Sequence, residues 1–169
     1  MPQKMICRSF FPAGADRDAG ILILGSMPGA ESLRRQEYYA FCRNGFWRIM
    51  GKICGFDAAL PYRERVAALA ACHIALWDVL QSCERSGSSD AAISHPRVNP
   101  VGKWLKNHPE CRCVFCNGGA SARYFRKYFP QYAPLMTQLP STSPAAANLS
   151  EADKLKKWEA AFLRAGSPV

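Results

Sequence analysis

The chain has 169 residues, of which 49% are apolar and 21% are charged, and this composition is typical of one folded domain and excludes a disordered chain. No apolar run approaches the ~20 residues that cross a bilayer, and residues 1–8 lack a signal-peptide pattern, so we expect a cytoplasmic protein. Lysine and arginine exceed aspartate and glutamate by 22 to 13, and the net charge of +9 favours a polyanionic partner such as nucleic acid.

Four short apolar runs, each bounded by turn-forming residues, predict buried strands. They lie at residues 21–25, 73–80, 112–117 and 134–140. Helical patterns occur between and after them, at residues 46–54, 61–71, 100–106 and 121–129 and after Ser150. Strands that alternate with helices indicate a parallel sheet covered on both faces. We therefore predict one α/β domain over residues 1–169, a three-layer α/β/α sandwich with a central four-stranded parallel sheet.

The carboxyl ends of these strands should meet at one edge of the sheet, because parallel crossovers are right-handed. The first loop (residues 25–29) and the second loop (residues 141–144) follow two of them, and further loops are predicted at residues 78–84 and 117–119. Ligands of open α/β sheets bind at this edge. The sequence thus predicts a functional site among these loops.

Three of the eight cysteines cluster, at Cys111, Cys113 and Cys116, with a C-x-x-C spacing in the last pair. A zinc or iron–sulfur site needs four ligands, and neither a second such pair nor a histidine pair completes the set. Because Val114 and Phe115 separate the last two cysteines, we expect reduced thiols in a buried strand. A metal or redox protein is the alternative interpretation.

Aromatic, cationic and amide side chains are interleaved between Tyr38 and Trp47. Asn44 precedes the predicted helix and is suited to cap its N-terminus. Tyr38 and Tyr39 lie before that helix, so we expect them to be freer than Phe46 to line a pocket.

Several short motifs occur in one order between residues 21 and 145. They are Gly-Ser-Met-Pro-Gly at 25–29, Asn-Gly-Phe-Trp at 44–47, Ala-Leu-Trp-Asp-Val-Leu at 75–80, Ser-Cys-Glu-Arg at 82–85, Asn-Gly-Gly at 117–119 and Leu-Pro-Ser-Thr-Ser-Pro at 139–144. Together they resemble the uracil-DNA glycosylase superfamily, and within it the hypoxanthine-DNA glycosylase branch, which is related to the mismatch-specific uracil and thymine enzymes. The resemblance implies a monofunctional enzyme of base excision repair that flips a deaminated base, hypoxanthine in deoxyinosine, out of DNA and hydrolyses its N-glycosidic bond.

Two candidate catalytic positions differ from the pattern of the superfamily. Met27 stands where most members have an asparagine or aspartate that orients the attacking water, and a thioether cannot do this. Ser141 replaces the histidine or asparagine of the second motif. The branch is thought to use the asparagine before the Phe-Trp pair instead, and this corresponds to Asn44.

The resemblance and the residue types together suggest a role for each candidate. Asn44 would position water, Ser141 and the amides of the first loop would stabilise the departing base, and Tyr39 would stack on that base. Asp78 would accept the N1–H that hypoxanthine has and adenine lacks. The other candidates are Gly25, Ser26, Met27, Pro28, Gly29, Asn117 and Ser143 for the base pocket, and Arg43 and Thr142 for contacts with DNA phosphates.

Neither a cofactor nor a metal is implied, and we expect a monomer associated with the nucleoid. The matching motifs contain no lysine, so Schiff-base lyase chemistry is not expected. Two further interpretations stay open. One is a glycosylase for uracil, for example opposite guanine, and the other is a non-catalytic DNA-binding relative.

Overall fold

The structure, a computed structural model, describes residues 3–166. In chain order its strands are β1 (Met5–Arg8), β2 (Ala13–Gly14), β3 (Ile21–Gly25), β4 (Ile74–Asp78), β5 (Leu80–Arg85), β6 (Ser94–Val98), β7 (Cys113–Asn117) and β8 (Met136–Leu139). Its α-helices are α1 (Ala30–Arg35), α2 (Phe46–Cys54), α3 (Tyr62–Ala71), α4 (Val101–Asn107), α5 (Gly119–Tyr128) and α6 (Glu151–Arg164). Short 3₁₀ helices cover Asp90–Ala92 and Pro130–Leu135.

The central sheet has the strand order β2-β4-β3-β7-β8. The strands β4, β3, β7 and β8 are parallel, and they confirm the predicted α/β fold class and its four parallel strands. The two-residue strand β2 pairs antiparallel with β4 and adds a fifth strand at the edge. It was not predicted because a pair such as Ala13–Gly14 has no periodicity to read.

Alternation along the strands divides the core into two layers. On one face of the sheet, Leu22 and Leu24 of β3 pack with α4 and α5. On the other face, Ile21 and Ile23 pack with α2, α3 and α6. Burying each such side chain stabilises the fold by roughly 1.5–3 kcal/mol. Helices on both faces complete the predicted three-layer sandwich.

A second sheet, antiparallel and of order β1-β5-β6, continues from β4. The strand predicted over 73–80 therefore ends at Asp78, and the loop predicted over 78–84 is wrong, because β5 begins at Leu80. Only Val79 separates the two strands. Four of the six residues of β5 are polar or charged, so its extended form depends on pairing with β1 and β6 rather than on its own pattern.

The predicted helix ends are found with small shifts. The helix α2 stops at Gly55, whose φ of 76° lies in the left-handed region that favours glycine. The helix α6 begins after Ser150, whose hydroxyl accepts the N–H of Asp153 at 3.1 Å. This is the predicted N-terminal cap.

The eight cysteines are free thiols. Burial raises the pKa of Cys111 and of Cys116 to about 11, so both stay protonated at neutral pH. Within residues 3–166, no group of three or more histidine, cysteine or acidic side chains is arranged to hold a metal ion. In the same range, none of the helices combines the length and the apolar character needed to traverse a bilayer.

Candidate active site

The carboxyl ends of β3, β4, β7 and β8 lie at one edge of the central sheet. Gly25 is opposite Asp78 in the ladder between β3 and β4, and Asn117 is opposite Leu139 in the ladder between β7 and β8. The first and second loops both begin at this level. The structure therefore places them at the edge where ligands of such sheets bind.

Gly25, Asp78 and Tyr39 converge beneath the first loop. A methyl group built on Gly25 would lie 2.5 Å from Asp78 Oδ1 and 3.3 Å from the hydroxyl oxygen of Tyr39. Asp78 is 3% exposed, and its Oδ2 atom is buried without a hydrogen-bond partner in residues 3–166. Only glycine fits at position 25, because a carboxyl and a phenol occupy the adjoining space.

The protonation state of Asp78 is unusual for a carboxyl group. Burial raises its pKa to about 8, the nearby charge of Asp90 adds to the rise, and the guanidinium of Arg85 opposes it. Asp78 is consequently protonated over much of the neutral pH range. A neutral carboxyl has one O–H donor and can also accept, whereas the ionised form only accepts hydrogen bonds. The hydrogen-bonding pattern of this group therefore changes with pH.

Arg85, at the end of β5, supports the first loop. It is 1% exposed, and one of its terminal nitrogens donates to the carbonyl of Pro28. Its Nε and its other terminal nitrogen are buried without a partner among the described residues. The Ser-Cys-Glu-Arg motif contains Arg85 but predicts no role for it, because its contact with Pro28 joins residues 57 positions apart.

The segment after β5 closes over the same loop. Ser26 donates its hydroxyl to Asp90 Oδ1 at 2.6 Å, and the Ser88 hydroxyl accepts the N–H of Ala30 at 2.9 Å. These partners are 64 and 58 positions apart, so no local pattern predicts them. Ser26 thus shapes the loop, and its contact with a base stays a prediction.

The side chain of Met27 points away from the edge. It is buried and packs with Cys7 and Cys83 on one face of the antiparallel sheet. The contact of Met27 with a base stays a prediction. An apolar residue at this position therefore fills a small core.

Asn44 caps the helix α2. Its Oδ1 accepts the N–H of Phe46 at 3.0 Å, although the N-cap position itself is Gly45. The predicted capping role is therefore found, shifted by one residue. A second lone pair of Oδ1 remains, as do both amide hydrogens. Asn44 is half-buried, so these groups lie near the surface of the edge.

A reciprocal pair of hydrogen bonds fixes the second loop. Asn117 Oδ1 accepts the N–H of Thr142 at 2.9 Å, and Asn117 Nδ2 donates to Thr142 Oγ1 at 3.0 Å. The Thr142 carbonyl in turn accepts the N–H of Gly45 at 3.0 Å, which joins the loop to the start of α2. Thr142 is 2% exposed. Asn117 and Thr142 therefore position this loop, and their direct contacts with DNA stay predictions.

Ser141 and Ser143 are half-buried on the second loop. The Ser141 hydroxyl accepts the N–H of Ser143 at 3.2 Å, and the Ser143 hydroxyl accepts the N–H of Ala145 at 3.2 Å. Because each oxygen accepts, each hydroxyl hydrogen remains available to donate. Gly118, with φ of 100°, lies so close that a methyl group on it would be 3.0 Å from Ser141 Cβ.

Tyr39 stacks on Phe46, with ring centroids 4.0 Å apart and planes inclined by 23°. Its hydroxyl is buried without a partner in residues 3–166, and burial and Asp78 raise its pKa while the Asn117 side chain opposes the rise. Its φ of 55° is uncommon for a residue other than glycine. The neighbouring Tyr38 is buried in the core, so the expectation that it lines a pocket is wrong.

A small cavity of about 170 Å³ opens beside the second loop, and Arg43 and Lys154 line it. Lys154 is buried, donates to the Ser143 carbonyl at 3.1 Å, and has its pKa lowered by burial. Glu151, also in the lining, is paired with Arg48 at 2.6 Å. The sequence shows Lys154 only as one of three lysines that follow the second loop, because its approach to that loop depends on how α6 packs.

These contacts connect most of the candidates. Asp78 and Tyr39 meet under the first loop, and Tyr39 stacks on the residue whose amide Asn44 caps. The second loop is bonded to the start of the same helix. The Met27 side chain packs in a separate cluster and is not part of these contacts. Arg43 is exposed, one residue before Asn44.

Similarity to known proteins covers nearly the whole chain. Residues 11–165 match the family model described as the uracil DNA glycosylase superfamily. A protein of Methanosarcina acetivorans named hypoxanthine DNA glycosylase is 33% identical over 160 residues, which cover 90% of this chain and 96% of that protein. A protein of the same name from Methanosarcina barkeri is 32% identical over 161 residues, covering 91% and 97%.

A solved structure agrees with this likeness. The solution NMR structure of a candidate uracil DNA glycosylase from Methanosarcina acetivorans has a TM-score of 0.81 at 32% identity. The match covers 96% of this chain and 99% of that one. The chain therefore belongs to the uracil DNA glycosylase superfamily.

Proposed function

We propose that the protein is a monofunctional DNA glycosylase that hydrolyses the N-glycosidic bond of hypoxanthine in DNA. The two relatives named hypoxanthine DNA glycosylase match at least 90% of this chain and support this substrate. The observation that carries the proposal is the buried carboxyl of Asp78, which has an unpartnered oxygen and adjoins Gly25 and Tyr39 at the sheet edge. A buried ionisable group with a displaced pKa in such a place is a candidate for chemistry.

Flipping of the damaged nucleotide comes first. Extruding a base costs a few kcal/mol, and least for a mismatched base, so a deaminated base in a weakened pair is favoured at this step. Stacking on an aromatic ring returns about 1–3 kcal/mol per base. Tyr39 has one ring face on Phe46, and we assign its other face to the base.

Cleavage needs a positioned water more than a strong nucleophile. Breaking the bond between sugar and base builds positive charge on the sugar, as in other reactions with oxocarbenium-like transition states. Asn44 Oδ1 accepts the N–H of Phe46 with one lone pair, and we assign the second to the attacking water. The helix cap thereby also holds Asn44 in one orientation.

Negative charge on the departing base requires hydrogen-bond donors. The free hydroxyl hydrogens of Ser141 and Ser143 are suited to this, as are the backbone amides of the first loop. Both loops are fixed by contacts made before the base enters, namely those of Arg85 with Pro28 and of Asn117 with Thr142. Donors fixed in advance need no reorganisation during the reaction.

The protonation state of Asp78 determines how well it discriminates hypoxanthine from adenine. As a carboxylate it accepts the N1–H of hypoxanthine and repels the N1 lone pair of adenine. As a neutral acid it can donate to adenine N1, so it discriminates less. Because its pKa is raised to about 8, binding of a base with an N1–H selects the ionised form near neutral pH.

Phosphates beside the flipped nucleotide are assigned to the small cavity with Arg43 and Lys154. The chain has 22 basic and 13 acidic residues, and this excess of positive charge favours binding to DNA phosphates. Affinity should therefore fall steeply as salt rises. Thr142 acts here by holding the loop, and we keep its phosphate contact as part of the proposal.

Uracil is the second candidate base. Its N3–H is the same kind of donor as the N1–H of hypoxanthine, and the similar solved structure is described as a candidate uracil DNA glycosylase. The buried Met27 side chain leaves position 27 without the polar group that most of the superfamily uses. This favours hypoxanthine as the main substrate.

Single-turnover excision tests the proposal. Duplexes would carry one deoxyinosine, deoxyxanthosine or deoxyuridine opposite each normal base. We expect the fastest release from deoxyinosine. Release from deoxyuridine alone would select the second candidate, and tight binding without release of any base would contradict a catalytic role.

The site is complete within one chain, so we propose that the protein acts as a monomer. Its substrate is chromosomal DNA in this proposal, which puts it in the cytoplasm with the nucleoid. Sedimentation of the protein alone and with a duplex would test the first point. A dimer required for excision would contradict it.

A further inference from the structure

A cavity of about 600 Å³ lies outside the site described above. It lies between the helix α4 and the segment that joins β1 to β2, and we call it the Trp104 groove. Phe10 and Phe11 line one side, and Lys103 and Trp104 line the other. The Trp104 ring is stacked on His108 with 3.8 Å between centroids, which fixes its orientation. The volume suits a ligand of nucleotide size.

The lining of the Trp104 groove combines aromatic rings with positive charge. Trp77, Trp104 and Phe11 provide rings, Arg8 and Lys103 provide cations, and no aspartate or glutamate lines the cavity. Neither cation forms an ion pair within residues 3–166. Rings stack on bases and cations contact phosphates, so this combination is typical of a surface for single-stranded nucleic acid.

Phe11 is exposed on a backbone that is held in place. The Phe10 carbonyl accepts the Trp77 indole N–H at 3.0 Å, and the Phe11 carbonyl accepts the Tyr38 hydroxyl at 2.9 Å. The Phe11 side chain is nevertheless 90% exposed. A large apolar ring in this state is suited to stack on a partner, because little backbone ordering is left to complete on binding.

The Trp104 groove lies beside the base site. In the antiparallel pair of β2 and β4, Ala13 is opposite Leu76, so the chain before Ala13 runs toward the carboxyl end of β4, where the Phe10 carbonyl accepts the indole N–H of Trp77. Trp77 and Asp78 are successive residues of β4, and their side chains face opposite sides of the sheet. The groove and the base site are therefore separated by the end of one strand.

We propose that the Trp104 groove binds an unpaired nucleotide of the DNA whose damaged base occupies the base site, with its base stacked on Phe11 and its phosphate contacted by Lys103. This rests on the proposed function, which brings DNA to the adjoining edge. Bases within an intact duplex are stacked on one another and cannot offer their faces to a protein ring. The occupant is therefore single-stranded DNA, either free or opened around the damage.

Binding of undamaged oligothymidine tests the groove without relying on catalysis. Its affinity, with strands of about 12 nucleotides, would be measured by fluorescence anisotropy beside that of a duplex. We expect Phe11→Ala and Lys103→Gln each to weaken single-strand binding by about tenfold, the loss of one stacked base or one phosphate contact. Duplex binding should change by less than about twofold, because a paired strand does not enter the groove.

Two variants serve as matched controls. Ile6 is 69% exposed on β1 and Lys106 is exposed on α4, and neither lines the groove. Ile6→Ala and Lys106→Gln should bind both DNAs as the wild type does. Circular dichroism of Phe11→Ala should match the wild type, because the deleted ring is solvent-exposed.

Excision of deoxyinosine from a duplex by the wild type separates the two possible failures. If the wild type excises hypoxanthine but Phe11→Ala and Lys103→Gln bind single strands as the controls do, the groove proposal is overturned and the glycosylase stands. If both variants lose single-strand binding while the wild type releases no base, the groove is supported and the proposed function fails.

Discussion

The two walls of the site are stabilised in different ways. The first wall, formed by the first loop with Asp78, Arg85 and Tyr39, contains buried polar atoms without partners in residues 3–166. The second wall, formed by the second loop with Asn117, has its buried amide groups bonded reciprocally. An unpaired buried polar group costs about 1–3 kcal/mol, so the rest of the fold must stabilise the first wall. From this contrast we propose that the first wall recognises the base, and that Asn117 and Thr142 position the donors of the second wall.

Removing the Asn44 side chain tests the junction between the walls and should have the largest effect. Asn44→Ala should lower single-turnover excision of deoxyinosine by about 10²–10⁴-fold, because the water loses its acceptor. Loss of the cap alone should lower the free energy of unfolding by only about 1 kcal/mol. Chemical denaturation measures the second quantity.

The cap of another helix, α6, provides the control for Asn44. Ser150→Ala removes the hydroxyl that accepts the N–H of Asp153 at the start of α6. Its stability loss should be similar, with excision unchanged. If the two variants excise deoxyinosine at the same rate, Asn44 has only a structural role.

Asp78→Asn should raise the free energy of unfolding and lower the selectivity for hypoxanthine over adenine. The pKa of Asp78 is raised from 3.8 to about 8 on folding, so the native state binds more protons between these values. The free energy of unfolding therefore falls as pH rises across this window and stays low above it. Asparagine cannot ionise, so the variant should gain up to about 6 kcal/mol above pH 8.

Thermal unfolding as a function of pH measures this gain. The melting temperatures of the wild type and Asp78→Asn should be close at low pH and diverge as pH rises. Glu159→Gln, an exposed carboxyl on α6, is the control and should show no such divergence. Parallel curves for all three proteins would contradict the raised pKa of Asp78.

Thr142→Val breaks the reciprocal pair of the second wall. The Nδ2 of Asn117 then loses its acceptor, and we expect a loss of about 1–3 kcal/mol in unfolding free energy. Excision should slow because Ser141 and Ser143 are no longer held. Thr137→Val on β8 is the matched control, and an equal effect on excision would argue against positioning by Thr142.

Arg43→Gln should have the smallest effect and act on DNA affinity alone. Loss of one phosphate contact should reduce the slope of log affinity against log salt by about 1 for all sequences. Arg164→Gln, in the last turn of α6, provides the control. A loss of base preference in Arg43→Gln would instead place Arg43 in the base pocket.

The sequence predicted those parts of the fold whose signal is local. The runs that became β3, β4 and β7 are apolar because both faces of these strands are buried, and such runs can be read without knowledge of the partners. The strand β5 was missed because its burial depends on β1 and β6. The burial of Tyr38 was not predicted because it also depends on a distant partner. The Tyr38 hydroxyl donates to the carbonyl of Phe11, 27 positions away.

For the site, the sequence predicted which loops come together but not what holds them. Asn44, Asp78 and Tyr39 were candidates because they end a predicted strand or precede a predicted helix and because they match the motifs of the superfamily, and their roles stay predictions. Arg85 and Lys154 were not, because their contacts with Pro28 and Ser143 join residues that are 57 and 11 positions apart in the chain. The pKa of Asp78 likewise depends on burial that only the assembled layers create.

The most direct test of base recognition by the first wall is the selectivity for hypoxanthine over adenine as a function of pH. Affinities would be measured for DNA with 2′-fluoro analogues of deoxyinosine and deoxyadenosine, which resist cleavage. For the wild type, we predict that the ratio of the two affinities rises by about tenfold as pH passes about 8, and that Asp78→Asn shows a constant ratio. A ratio independent of pH in the wild type, or the same rise in both proteins, would contradict the role of Asp78.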